Sequence, residues 1–169
     1  MKSLNDFFGE QLFIVQPKFL KNYFELKHGE EVIGSMEVKG FFKNKVYVTI
    51  FDKKFMFIQR SFWRSIIEIL EENKELPVAT YRSKIFKNYG FIDLPFGESL
   101  KVTYKFFNSG YDLRNSLDEI LIIYTNKFPF KNRTEISIEK KSQLLEKYSW
   151  VIFLPFFISR ERNKNSRAI

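Results

Sequence analysis

Nine consecutive residues, Trp150 to Ile158, carry no charged, amide or hydroxyl side chain. They end the stretch SQLLEKYSWVIFLPFFI, Ser142 to Ile158, the most apolar part of the chain and its best helix candidate. A helix that is apolar on every side is buried in a protein core or in lipid. Seventeen residues at about 1.5 Å each reach about 25 Å. Glu146 and Lys147 stand in the first half, so the stretch falls short of the ~20 predominantly apolar residues that a bilayer crossing requires. It therefore reads as a buried core helix. The alternative is a membrane-dipping anchor, its apolar segment followed directly by Arg160, Arg162, Lys164 and Arg167. Ser142 fits a helix N-cap. Pro155 lacks an N–H and predicts a kink at that point or an end near Leu154.

The chain before Ser142 reads as short, apolar-alternating segments separated by turns. Leu12 and Ile14 lie in the first, which Pro17 ends. Leu20, Phe24 and Leu26 share one face of the second, and after a turn at His28-Gly29, Val32, Met36 and Val38 line the third. Val46, Val48 and Ile50 follow, then Phe55 to Ile58, then Trp63, Ile67 and Ile69, then Val78 to Arg82 and Phe91 to Leu94. Residues 99–107 alternate most cleanly, with Leu100, Val102, Tyr104 and Phe106 on one face and Lys101, Thr103 and Lys105 on the other. That is the pattern of an antiparallel sheet with one dry and one wet face. Asn108-Ser109-Gly110 predicts a hairpin turn. Tyr111 to Arg114 reads as a short strand, Ile120 to Tyr124 as one covered on both faces, and Glu135 to Lys140 as the last.

About twelve strands and one terminal helix predict an all-β fold, a roughly 12-stranded antiparallel barrel enclosing the hydrophobic C-terminal helix. A barrel of that size is too wide for its own side chains to fill, and residues 144–158 are the one candidate filling. The alternative is a lipocalin-like calyx that carries a small apolar ligand and keeps the helix outside. Residues 1–9 read as a flexible lead-in, 10–158 as a single barrel domain with its helix at about 142–158, and 159–169 as a basic, disordered tail.

The absence of cysteine excludes disulfide partners, thiolate zinc sites and a cysteine nucleophile. His28 is the only histidine and sits beside Gly29, where an exposed turn residue is expected. No glycine-rich phosphate loop and no H-E-x-x-H motif occurs, so no cofactor and no metal are assigned. Carboxylate pairs at Glu30-Glu31, Glu71-Glu72 and Asp118-Glu119 leave a hydrolase with two acids as an alternative. The charge is +8, of which the last eleven residues supply +3, a bias compatible with anionic surfaces. Asp6 and Glu10 stand where a signal peptide needs an apolar run, which places the expected protein in the cytoplasm, at most peripheral to the inner membrane face. The sequence assigns no oligomeric state, and nucleic acid is not expected.

The run of strands from Gln11 to Lys140, with segments such as KNYFELKHGEEVIGSMEVK and PVATYRSKIF, followed by the helix KYSWVIFLPFFI, resembles the tubby-like and LURP-one-related group, which includes the phospholipid scramblases. The resemblance implies a barrel wrapped around a hydrophobic C-terminal helix, and a basic surface that binds phosphoinositide-like head groups. It implies a non-enzymatic binding or interaction module for anionic lipid or a membrane-proximal partner. Basic residues gather around two turns (Lys43, Lys45, Lys53 and Lys54), around the last strand (Lys127, Lys131, Arg133, Lys140 and Lys141) and in the tail (Arg160, Arg162, Lys164 and Arg167). The last two groups are the candidate anionic-lipid site.

Overall fold

In the computed structural model, the described residues are 1–17, 20–40, 44–61, 65–83, 86–105, 110–127 and 133–167, with backbone only at 61 and 164–167. Expectations for Lys43, Trp63, Phe106, Asn108, Ser109 and Lys131 lie outside the described residues.

Twelve strands form a closed antiparallel barrel. They are β1 (Gln11–Val15), β2 (Tyr23–His28), β3 (Glu31–Lys39), β4 (Lys45–Ile50), β5 (Lys53–Ser61), β6 (Ile66–Glu71), β7 (Ala79–Ser83), β8 (Tyr89–Asp93), β9 (Ser99–Tyr104), β10 (Tyr111–Arg114), β11 (Ile120–Asn126) and β12 (Arg133–Ile138). Each pairs with its neighbour in sequence, and β1 pairs with β12, Leu12 opposite Ile136, to close the ring. The alternation seen in the sequence is the alternation of burial. On β9, Leu100, Val102 and Tyr104 are buried while Ser99, Lys101 and Thr103 are half-buried. On β11 the expected cover is incomplete: Leu121, Ile122 and Tyr124 are buried, whereas Ile120 and Ile123 keep some contact with water. The outer positions carry charge on most strands, for instance Glu25, Lys54, Arg60, Lys101 and Arg133. A lipid-facing wall penalises such residues.

The barrel is filled by the C-terminal segment. Trp150 to Leu154 are buried at 0–1% exposure, and Phe156, Phe157 and Ile158 at 6% or less. The expected enclosed helix is therefore present, and both the open calyx and the membrane-dipping anchor give way to it. Its course differs from one kinked helix. Helix α1 (Gln143–Lys147) is capped by Ser142 Oγ, which accepts from Leu144 N. Tyr148 leaves helical geometry (φ −120°, ψ 64°), a 3₁₀ turn spans Ser149–Ile152, and helix α2 runs Leu154–Arg167. Pro155 thus stands in the first turn of α2, where a missing N–H costs no intrahelical bond, and it starts a helix instead of ending one. Tyr124 Oη donates to the Ile152 carbonyl at 2.9 Å and satisfies it inside the barrel. Trp150 packs against Phe55 and Phe57, with ring centroids 6.5 and 6.1 Å apart. The wall admits Phe153 through Gly34, where a Cβ would lie 3.2 Å from the Phe153 ring and 3.0 Å from the Thr49 carbonyl.

Two expectations about the termini are corrected. Residues 1–9 are not a loose lead-in. A 3₁₀ turn at Leu4–Phe7 buries Leu4 completely and Phe7 to 7%, Phe7 stacks on Phe51, and Asn5 bonds to Ser142. Nor does the chain become disordered at Ser159: α2 continues to Arg167. Ser159 stays buried, and Arg160 lays its guanidinium on Phe24, because a long cationic side chain can bury its stem while its head stays near water.

Candidate functional site

The two ends of the barrel differ. One, the capped rim, holds the N-terminal turn, α1 and the connections after β2, β4, β6, β8 and β10. At the other, the exit rim, α2 emerges among strand ends that lead into the remaining six connections. The exit is marked by two arginines. The Arg160 guanidinium carbon lies 4.3 Å from the Phe24 ring centroid, and that of Arg162 lies 4.4 Å from the Tyr104 ring. Arg162 also donates to the Lys87 carbonyl at 3.3 Å. Burial lowers the pKa of Arg160, against a smaller opposing effect of Glu161. Among the described residues no carboxylate forms an ion pair with Lys21, Lys105, Arg160 or Arg162.

Beside Arg162 opens a cleft of about 180 Å³, lined by Tyr104, Lys105, Gly110, Tyr111, Asn126, Ser159, Arg162 and Asn163. Its floor is aromatic. Tyr104 packs on Tyr111 (6.0 Å) and Tyr111 stacks on Tyr124 (4.6 Å), so a ladder of rings descends from the rim into the core. Burial raises the pKa of Tyr81, Tyr104, Tyr111 and Tyr124 and keeps them neutral. The buried hydroxyls of Tyr81 and Tyr104 have no hydrogen-bond partner among the described residues. Such a cleft, with cationic and hydroxyl groups over an apolar floor, can receive an anionic group of about the size of a phosphate.

The residues expected at the lipid site are divided between the ends. Arg160, Arg162, Arg133 and Lys127 stand at the exit rim; Arg133 covers the Phe13 ring at 3.7 Å, and Lys127 pairs with Glu135 at 2.8 Å. Lys164 and Arg167 follow in α2, their side chains outside the description. Lys140 and Lys141 lie at the capped rim, where Lys140 pairs with Glu119 and Lys141 sits over Phe8. Antiparallel β12 separates them from Arg133 by its own length, so the single cluster around the last strand does not exist as one site. Likewise Lys45 stands at the exit rim and Lys53 and Lys54 at the capped rim. Sequence reading missed Lys21, Lys87 and Lys105 as members of the exit rim. The available signal was their common position at alternate strand connections.

His28 ends β2, half-buried, with Nε2 3.4 Å from a Glu10 carboxylate and Phe7 edge-on at 5.3 Å. The carboxylates Glu31, Asp118 and Glu119 have lowered pKa values through hydrogen bonds with Lys2, Lys101 and Lys140 respectively. A general acid needs the opposite shift. Among the described residues no group of three His, Cys, Asp or Glu could hold a metal ion, and no helix is long and apolar enough to cross a membrane. Comparison with family models, with curated proteins and with solved structures gives no match.

Proposed function

We propose that the protein is a non-enzymatic binding module for anionic lipid surfaces, engaged through the exit rim, and that it belongs to the tubby-like and LURP-one-related group. The order of elements, twelve antiparallel strands and then an enclosed C-terminal helix, supports the membership. One observation carries the function. Among the described residues of the six exit-rim connections, Lys21, Lys87, Lys105 and Lys127 are basic and none is acidic. The five strand connections of the capped rim contain seven Asp or Glu and one Lys. The barrel is thus polarised along its axis, and four more basic residues follow in α2.

Phe86 is 97% exposed beside Lys87. Basic residues attract an anionic leaflet at about 1 kcal/mol each, and aromatic rings favour the interface between headgroups and acyl chains. The cleft beside Arg162 offers a seat for a headgroup phosphate. A peripheral place at the cytoplasmic face of a membrane goes with this reading.

The test is co-sedimentation with vesicles of neutral lipid alone or with phosphatidylserine or phosphoinositide, at low and high salt. Binding should require anionic lipid and weaken with salt. Lys105→Glu with Arg162→Glu should reduce it at least tenfold, and Lys53→Glu with Lys141→Glu, at the other end, should leave it within twofold. Equal losses from both pairs, or no binding by the intact chain at low salt, would refute the reading.

A further inference from the structure

The cleft beside Arg162 has two properties that a general attraction to negative charge does not use: it is small, and it adjoins an apolar tip. Its volume of about 180 Å³ falls below the roughly 300 Å³ at which pockets for drug-sized ligands begin. A ring-bearing head group such as an inositol phosphate asks for the larger space, and a phosphate end alone does not. The lining suits such an end. Lys105 and Arg162 are its two cations, and no carboxylate stands among the lining residues. Neither cation is ion-paired to a carboxylate elsewhere among the described residues. Ser159, 8% exposed, adds a hydroxyl, and the rings of Tyr104 and Tyr111 make the floor. A phosphomonoester carries about −1.5 to −2 at neutral pH and three strong acceptor oxygens, which answers two cations. A phosphodiester carries a single charge and is flanked by carbon on both sides, so it cannot enter end-on.

The apolar tip is attached to this site. Arg162 donates to the Lys87 carbonyl at 3.3 Å, and the residue before Lys87 is Phe86, 97% exposed. The same connection is braced from β9: Tyr104 N donates to the Asn88 carbonyl at 2.7 Å, and the Asn88 side-chain amide donates to the Tyr104 carbonyl at 3.3 Å. The Arg162 guanidinium lies 4.4 Å from the Tyr104 ring centroid. Phe86 is thus one residue and one hydrogen bond away from the guanidinium, a reach of roughly 10 Å. A ligand that fills the cleft and covers Phe86 must carry its charge close against its hydrocarbon. In a phosphoinositide a sugar ring stands between the terminal phosphate and the acyl chains. In phosphatidylserine the phosphate is a diester covered by serine. In phosphatidic acid the monoester sits directly on the glycerol that bears the acyl chains.

We propose that the exit rim recognises a phosphomonoester carried directly on an acyl-bearing backbone, as in phosphatidic acid, with the phosphate in the cleft at Lys105 and Arg162 and the Phe86 ring among the acyl chains. This rests on the lipid reading above and narrows it to one head-group chemistry.

The test is titration of the full chain with phosphatidylcholine vesicles containing phosphatidic acid, phosphatidylserine or a phosphoinositide, at fractions that equalise surface charge. Phosphatidic acid should bind at least fivefold more tightly than either of the others. Lys105→Gln, at an exposed side chain, should remove that preference and leave the melting temperature unchanged. Phe86→Ser should keep the preference and weaken binding to all three at least threefold. Inorganic phosphate should bind at least tenfold more weakly than short-chain phosphatidic acid in solution. No binding to any anionic vesicle at low salt would remove the lipid reading and this proposal together. Equal binding at equal surface charge, or strongest binding to phosphoinositide, would overturn the proposal and leave the lipid reading standing. A preference that survives both Lys105→Gln and Arg162→Gln would overturn it by placing the head group elsewhere. Inorganic phosphate bound as tightly as short-chain phosphatidic acid would overturn it by making the free anion the ligand.

Discussion

Asn5 and Ser142 are joined by a reciprocal pair of hydrogen bonds: the Asn5 amide donates to the Ser142 carbonyl, and its carbonyl accepts from the Ser142 amide, each at 3.0 Å. The pair fastens the N-terminal turn to the point where the chain turns into the barrel. Asn5→Ala leaves both backbone groups of Ser142 to find other partners and should cost about 1–3 kcal/mol. A lower midpoint in urea with an unchanged slope would show it. A variant as stable as the parent would mean that the N-terminal turn contributes nothing to the closed state.

Gly34→Ala tests how closely the filling presses on the wall. The added methyl would meet the Thr49 carbonyl of the β4 backbone and the fully buried Phe153 ring at 3.0 and 3.2 Å. Overpacking of this kind costs about 1–3 kcal/mol. The helix has no free side to retreat to, so the melting temperature should fall clearly, and no change would contradict the packing described.

Tyr124→Phe removes the donor to the Ile152 carbonyl and leaves that oxygen buried and unpaired. The expected loss is about 1–3 kcal/mol. Amide exchange in residues 149–156 should accelerate more than in β3 or β4, since the bond holds the transition between the 3₁₀ turn and α2.

Deleting residues 159–169 should lower the melting temperature. Ser159 is buried, and Arg160 covers Phe24, so removal exposes a core ring at the exit rim. Arg160→Ala alone should cost about 1 kcal/mol. An unchanged melting temperature would restore the tail to the solvated role its composition indicates.

Alkaline titration should set four buried tyrosines apart. Burial raises Tyr81, Tyr104, Tyr111 and Tyr124 above their ordinary value of 10.0. A group raised in the folded state stabilises fully below its unfolded pKa and loses that contribution as pH climbs towards the folded value. These four phenols should therefore ionise only with unfolding, in one cooperative step of phenolate absorbance at a pH above 10. Gradual ionisation of these four near 10 would show that the ladder of rings is open to water.

The wall and its filling were legible because both rest on local pattern. The alternation of Leu100, Val102 and Tyr104 has one reading in a chain of short segments, and an all-apolar Trp150–Ile158 must be enclosed by something. The ends were less legible. Leu4 and Phe7 look like stray apolar residues until Phe51 and Ser142 are brought to them from far along the chain. Arg160 reads as tail because Phe24, which makes it part of the mouth, is 136 positions away. The residues expected to form one basic site were the least legible: Lys140 and Arg133 are close in sequence, but a strand that begins at one rim ends at the other. Charge in a barrel must be sorted by alternate connections before it can be summed.

The hydrogen bonds between β1 and β12 set a schedule for the newborn chain. The ring cannot close until Ile138 has been made, and its filling, from Ser149 onwards, arrives later still. Ribosomes add roughly 5–20 residues per second, so the early strands wait on the order of ten seconds with their inner faces uncovered. During that time the chain is an unfinished apolar ribbon whose free edges can pair with any neighbour. The buried segment from Ser149 to Ile158 is what covers those inner faces. A premature stop anywhere before Ile158 thus yields an adhesive product, a substrate for chaperones and proteases, and not a smaller version of the protein.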